Sequence, residues 1–113
     1  MLGCGIANLC RGELVGTSMH NARILIESRM HEAALGNAQA CFDLGVAYSC
    51  GTGGLSVDLI EAHRWFNLAA QAGNREAQAC RAEIAEEMTA REIAEAQRLA
   101  RAWTIQTTQR AAA

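Results

Sequence analysis

The sequence predicts an all-α fold, namely a short α/α solenoid of helix–turn–helix repeats with a C-terminal capping helix. The first observation is an internal repeat: Gly36-Asn37 and Gly73-Asn74 lie 37 residues apart, and an alanine follows each glycine by four residues, at Ala40 and Ala77. The second is that apolar residues between the two Gly-Asn pairs recur with helical spacing. The third is that glycines mark the ends of these segments. A period of this length is typical of repeats built from helix pairs.

The first helix of the clear repeat, which spans about residues 36–72, is predicted over Ala38–Cys50. Its apolar residues recur at i, i+4, i+7 and i+8, a spacing that places them on one helical face: Ala40, Leu44, Ala47 and Tyr48. Gly45 lies inside this helix, where glycine costs about 1 kcal/mol relative to alanine. We therefore expect another helix to approach Gly45 closely.

The second helix is predicted over Asp58–Ala72, and Asp58 has the character of an N-cap. The apolar face of this helix comprises Ala62, Trp65, Phe66, Ala69 and Ala70. The glycine-rich segment 51–54 separates the two helices. It follows no strand and contains no lysine, unlike a phosphate-binding P-loop, so it is interpreted as a turn that ends the first helix.

These residues together resemble the consensus of the Sel-one-like repeat, a relative of the tetratricopeptide repeat. The matching positions are Gly36, Ala40, Leu44, Gly45, Tyr48, Gly51, Gly53, Val57, Asp58, Ala62, Trp65, Ala69, Ala70, Gly73 and Ala77. The resemblance implies an α/α superhelix that serves as a protein-binding scaffold, usually without catalysis, as in small bacterial members of the family. Some secreted relatives join the two helices of a repeat by a disulfide, which here would require a cysteine in place of Ala70.

The segments on either side of the clear repeat complete one predicted domain over residues 19–113. Residues 1–18 show no period and are predicted to form a poorly ordered arm. A helix over Met19–Leu35 is consistent with a degenerate preceding repeat, and a helix over Arg75–Met88 is expected to bury Ala77, Ala82 (or Arg81) and Ala85. Thr89 and Glu92 form a capping-box pattern that begins the last helix, which is amphipathic as a terminal cap should be.

Composition excludes several classes of function. The net charge is −2 and acidic and basic residues are interleaved, so the sequence shows no basic patch of the kind found in nucleic-acid-binding domains. No stretch approaches the roughly 18 apolar residues of a membrane span. We therefore predict a cytoplasmic protein that binds neither nucleic acid nor membrane.

Catalytic, metal and cofactor sites are not predicted. The five cysteines, Cys4, Cys10, Cys41, Cys50 and Cys80, include no C-x-x-C pair, and we expect free thiols that pack as small apolar groups. The three histidines, His20, His31 and His63, have no evident partner cluster and are expected to be solvated or to cap helices. The chain is therefore not predicted to be an enzyme.

The family geometry implies a protein-binding groove lined by the first helix of each pair. Its candidate residues are Gln39, Phe42, Val46, Ser49, Glu76, Glu83 and Glu86. Phe42 lies off the core stripe, which suits an interface anchor, although it could equally pack beneath the helix over Met19–Leu35. Asp43 is expected to be exposed.

Three functions follow, of which the first is an interaction module that binds a peptide or protein in this groove. The second is a self-associating structural protein, a homodimer that completes its own solenoid through Leu99, Trp103 and Ile105. The third is an enzyme with Cys41 or Cys50 as the nucleophile.

Overall fold

The computed structural model describes residues 19–51 and 55–112, with side chains over residues 25–51 and 55–109. The described residues form helices and connections without any strand, which confirms the all-α prediction. The predicted arm at residues 1–18 and the turn residues 52–54 lie outside the described residues. The helices are α1 (Met19–Ala34), α2 (Ala38–Cys50), α3 (Leu59–Gln71), α4 (Arg75–Ala85) and α5 (Ala90–Ala112).

The two Gly-Asn pairs of the repeat have the same helix-start geometry. The glycine of Gly36-Asn37 has φ 92° and that of Gly73-Asn74 has φ 106°, values that glycine adopts without a steric penalty. The asparagine of the first pair accepts a hydrogen bond from the backbone N–H of Ala40 at 3.1 Å. The asparagine of the second accepts one from Ala77 at 3.0 Å. Each pair therefore ends one helix and caps the next.

Three other predicted helix ends are also confirmed, whereas α4 ends at Ala85 and not at the expected Met88. The Gly51 N–H donates to the carbonyl of Ala47 and closes α2 in the left-handed conformation. The Asp58 carboxylate accepts from the backbone N–H of Glu61 at 3.2 Å at the start of α3. At the start of α5, the backbone N–H of Thr89 donates to the Glu92 carboxylate at 2.9 Å. The backbone N–H of Glu92 donates to the Thr89 hydroxyl at 3.1 Å.

The third helix occupies the centre of the fold. It contacts α2, α4 and α5, and α1 packs against α2. Trp65 and Phe66 in α3 are fully buried. A Cβ atom built on Gly45 would lie 2.6 Å from two carbons of the Phe66 ring, so the glycine is required by the close approach of α3.

The buried face of α4 differs from the expected one. Ala77 is buried as predicted, but its buried companions are Cys80 and Ile84, whereas Ala82 is exposed and Arg81 and Ala85 are only partly buried. Cys80 and Ile84 lie three and seven residues after Ala77, so the three residues share the helical face that enters the core.

Replacing Gly45 by alanine should destabilise the fold by up to about 2 kcal/mol, the cost of the clash less the gain in helix propensity. The better helix propensity of alanine contributes about 1 kcal/mol in its favour, but a methyl group forced against a packed ring costs about 1–3 kcal/mol. Urea unfolding of wild type and Gly45→Ala measures the difference.

Two further variants test the cause. Gln78→Ala changes an exposed residue of α4 and should alter stability by less than about 0.5 kcal/mol. In Gly45→Ala combined with Phe66→Leu, the smaller side chain makes room for the methyl group, so the double change should cost less than the sum of its parts. A Gly45→Ala protein more stable than wild type by about 1 kcal/mol, the full gain in helix propensity, would contradict the close contact.

Candidate protein-binding surface

The predicted groove residues lie on two helices that both pack against α3. The set on α2 ranges from exposed (Gln39) through partly buried (Val46 and Ser49) to buried (Phe42). On α4 and its C-terminal cap, Glu76 and Glu86 are exposed and Glu83 is partly buried. We call the set without Phe42 the groove face.

Phe42 is a core residue, so its expected place on the groove surface is wrong. It is only 5% exposed, and its ring centroid lies 5.6 Å from that of Phe66. Ile26 and Met30 of α1 belong to the partly buried residues around the same cluster. The alternative interpretation, in which Phe42 packs beneath the first helix, agrees with this position. A partner cannot use this ring as an anchor without opening the core.

A polar network joins α1 to α2 at the edge of the groove face. The Arg29 guanidinium forms an ion pair with Asp43 at 3.0 Å, and the Gln39 amide donates to the same carboxylate at 2.9 Å. The expectation that Asp43 is fully exposed is therefore wrong, because the packing of α1 gives it a partner. One polar group of Gln39 is thus already used within the fold.

The remaining groove residues differ between the two helices. On α2, Val46 packs partly against the core, and the Ser49 hydroxyl donates to the Val46 carbonyl at 3.0 Å. On α4, the groove residues are carboxylates, of which those of Glu76 and Glu86 are exposed. The groove face consequently carries small neutral side chains on α2 and acidic side chains on α4.

Trp103 of α5 packs within the chain. Its ring meets the fully buried Trp65 edge to face, with centroids 4.9 Å apart and planes at 72°. The Arg64 guanidinium carbon lies 4.6 Å from the Trp65 ring centroid and 5.4 Å from that of Trp103, and Glu61 pairs with this guanidinium at 3.3 Å. The contact of Arg64 with the two tryptophans was not predicted from the sequence, because the helical pattern of α3 does not indicate that Trp103, nearly forty residues later, packs nearby.

Comparison with protein families agrees with this geometry. Residues 38–74, which cover α2, the connection to α3, α3 itself and the following turn, match the family model of the Sel1 repeat. This stretch is similar to a Sel1 repeat. No curated protein and no solved structure matches the chain.

Sel1 repeats generally mediate protein–protein interaction. The matched region contains the buried residues through which α2 packs against α3. Its first helix supplies three members of the groove face, whereas Glu76, Glu83 and Glu86 follow the matched residues. None of the helices in the described part of the chain is long and apolar enough to cross a membrane.

The cysteines near the Sel1 repeat are of two kinds. Cys41 is a free, buried thiol, and burial raises its pKa to about 11. Cys50 and Cys80 are each disulfide-bonded, so the expectation of free thiols is wrong for these two. A reactive cysteine requires an appreciable thiolate fraction near neutral pH. Neither of the candidate nucleophiles, Cys41 and Cys50, has that character.

His63 of the Sel1 repeat is buried rather than solvated. It is 3% exposed, and its Nδ1 atom has no hydrogen-bond partner. Burial lowers the pKa of His63, and the positive charge of Arg81 lowers it further. Among the described residues, no group of three or more histidine, cysteine or carboxylate side chains is arranged to hold a metal ion.

Alkylation should distinguish the three described cysteines. Because the Cys41 pKa is about 11 instead of its ordinary 9.0, its thiolate fraction at pH 8 is roughly a hundredfold lower. Iodoacetamide should therefore leave Cys41 of the folded protein unmodified while it consumes glutathione, the control thiol. In denaturant without reductant, mass spectrometry should find Cys41 modified but not Cys50 or Cys80. Labelling of folded Cys41 as fast as glutathione would contradict its burial.

Acid should destabilise the fold through His63. Its folded pKa lies below the ordinary 6.5, so as the pH falls below 6.5 the unfolded chain binds a proton that the folded chain does not, and stability is lost. This contribution to stability is complete above pH 6.5. Urea unfolding at pH 7.5 and 5.5 should show a smaller loss in His63→Gln than in wild type. The exposed-residue control, His31→Gln, should lose as much as wild type, and equal losses in all three proteins would refute the assignment.

Proposed function

We propose that the chain is a protein-interaction module that binds a peptide or protein segment along the groove face of α2 and α4. The observation that carries the proposal is the Sel1 repeat over residues 38–74, since repeats of this kind generally mediate protein–protein contacts. The chemistry of the groove face supports it further. Within the described residues, no catalytic set competes for this surface.

The expected partner segment is basic. The carboxylates of Glu76 and Glu86 are exposed on one wall, and complementary charge both orients a partner and raises its association rate. The other wall, with Val46 and Ser49, is nearly neutral and suits a small apolar side chain. A segment in which arginine or lysine alternates with a small apolar residue fits both walls.

A cysteine-dependent enzyme is the weakest of the three functions. The pKa of Cys41 is raised by burial to about 11, and Cys50 is disulfide-bonded. The predicted cytoplasmic location stays a prediction. The disulfide-bonded Cys50 and Cys80 weigh against it, because disulfides persist mainly in oxidising compartments.

The test is a capture experiment with three baits. The groove variant carries Glu76→Arg and Glu86→Arg. The control variant carries Glu27→Arg and Glu95→Arg, the same charge change on α1 and on the outer side of α5. A partner should be retained by wild type and control but bind the groove variant roughly tenfold more weakly, because two attractive charge pairs become repulsive.

The salt dependence of the same complex provides a second measurement. Since the proposed contact is electrostatic in part, raising the salt concentration should weaken the wild-type complex more than the groove-variant complex. A partner that binds all three baits equally, with the same salt dependence, would refute the groove face as the binding site. Circular dichroism of each bait verifies that the helices are intact.

A further inference from the structure

A hollow lies at the end of the bundle where α1 and α3 terminate, on the side formed by the C-terminal half of α5. We call it the end hollow. Its volume is about 220 Å³, and it opens to solvent at Gly36, Ala72 and Thr104. None of its lining residues is charged, and they are Ala33, Ala34, Gly36, Cys41, Leu68, Gln71, Ala72, Trp103, Thr104 and Thr107.

An exposed leucine stands on the rim of the end hollow. Leu35 lies between two lining residues, Ala34 and Gly36, and is 75% exposed. It is more exposed than the other large apolar residues of the described chain, of which the next, Val57, is 60% exposed. A projecting leucine and an uncharged hollow thus adjoin each other on one surface of the fold.

The end hollow suits an apolar side chain better than a polar ligand. The Thr104 hydroxyl donates to the carbonyl of Ala100 at 3.1 Å, and the Thr107 hydroxyl donates to that of Trp103 at 3.0 Å. These hydrogen bonds keep both hydroxyl protons within α5. Leu68 and Trp103 supply apolar wall. Since an apolar cavity of about 150 Å³ accepts a benzene molecule, the end hollow has room for a leucine side chain.

We propose that the occupant is the Leu35 side chain of a second copy of this chain. A two-fold dimer requires one surface that carries both the projecting group and its receptor, and Leu35 and the end hollow adjoin each other. In such a dimer each Leu35 enters the hollow of the other subunit. The surface continues over the C-terminal half of α5, where residues 102–109 include no charged residue. This continuation is needed because two leucines alone bury less than a stable interface.

This dimer shares Trp103 and Ile105 with self-association through Leu99, Trp103 and Ile105, but its central contact is Leu35 in the end hollow. Trp103 packs on Trp65, Leu99 is partly buried, and Ile105 is 58% exposed but does not line the end hollow. The dimer surface is also separate from the groove face. Loss of dimerisation and loss of partner binding can therefore be measured independently.

Sedimentation equilibrium over a range of concentrations tests the proposal. Wild type should dimerise, and Leu35→Asp should weaken the dimer by roughly a hundredfold, because two buried leucines are lost per dimer. Thr104→Arg, which places a charge at the mouth of the hollow, should weaken it similarly. Val57→Asp, the control at another exposed apolar residue, should dimerise as wild type does.

A mixture of the two interface variants gives the sharpest result. In a heterodimer of Leu35→Asp with Thr104→Arg, one hollow pairs the new carboxylate with the new guanidinium and the other keeps the native leucine contact. The mixture should therefore form more dimer than either variant alone. A wild-type protein that stays monomeric at about millimolar concentration, or one whose dimer is lost with Ile105→Asp but kept with Leu35→Asp, would overturn the proposal. Since Thr104→Arg alters the hollow and not the leucine, it tests the site even if Leu35→Asp folds poorly.

Discussion

The contact between the Phe66 ring and Gly45 sets the separation of α2 and α3, and other contacts of the fold depend on it. The ring lies where a Cβ on Gly45 would be, so the two helices pack closely. Phe42, three residues before Gly45 in α2, packs on the same ring, and Trp65, which precedes Phe66 in α3, packs against Trp103 of α5. One glycine thus allows α3 to organise aromatic contacts on two sides.

Concentrating the aromatic side chains in the core determines which surfaces remain for partners. Phe42, Phe66 and Trp65 are buried, and Trp103 is largely held against the core. The surfaces that we propose for partners are an acidic wall on α4, a nearly neutral wall on α2, and the uncharged end hollow beside Leu35. These surfaces differ in chemistry, which is why we assign a basic segment to the first two and a second copy of the chain to the third.

The sequence was sufficient for the local structure, and much less so for the candidate site. Helix ends followed from short-range hydrogen bonds: Asp58 caps α3, and Thr89 begins α5. The site depended on which residues of α2 remain accessible. Phe42 has the same helical position as a groove residue, and only the packing of α1 and α3 decides that it is buried.

The sequence by itself determined the repeat, the helices, their caps and the need for a close approach at Gly45, because each rests on residues near one another in the chain or on a fixed period. Tertiary structure alone decided the pairing of Trp65 with Trp103, the burial of His63, the ion pair between Arg29 and Asp43, and the end hollow. These features join residues from helices that are separate in the chain. Their distances depend on how the helices pack, which helical periodicity does not specify.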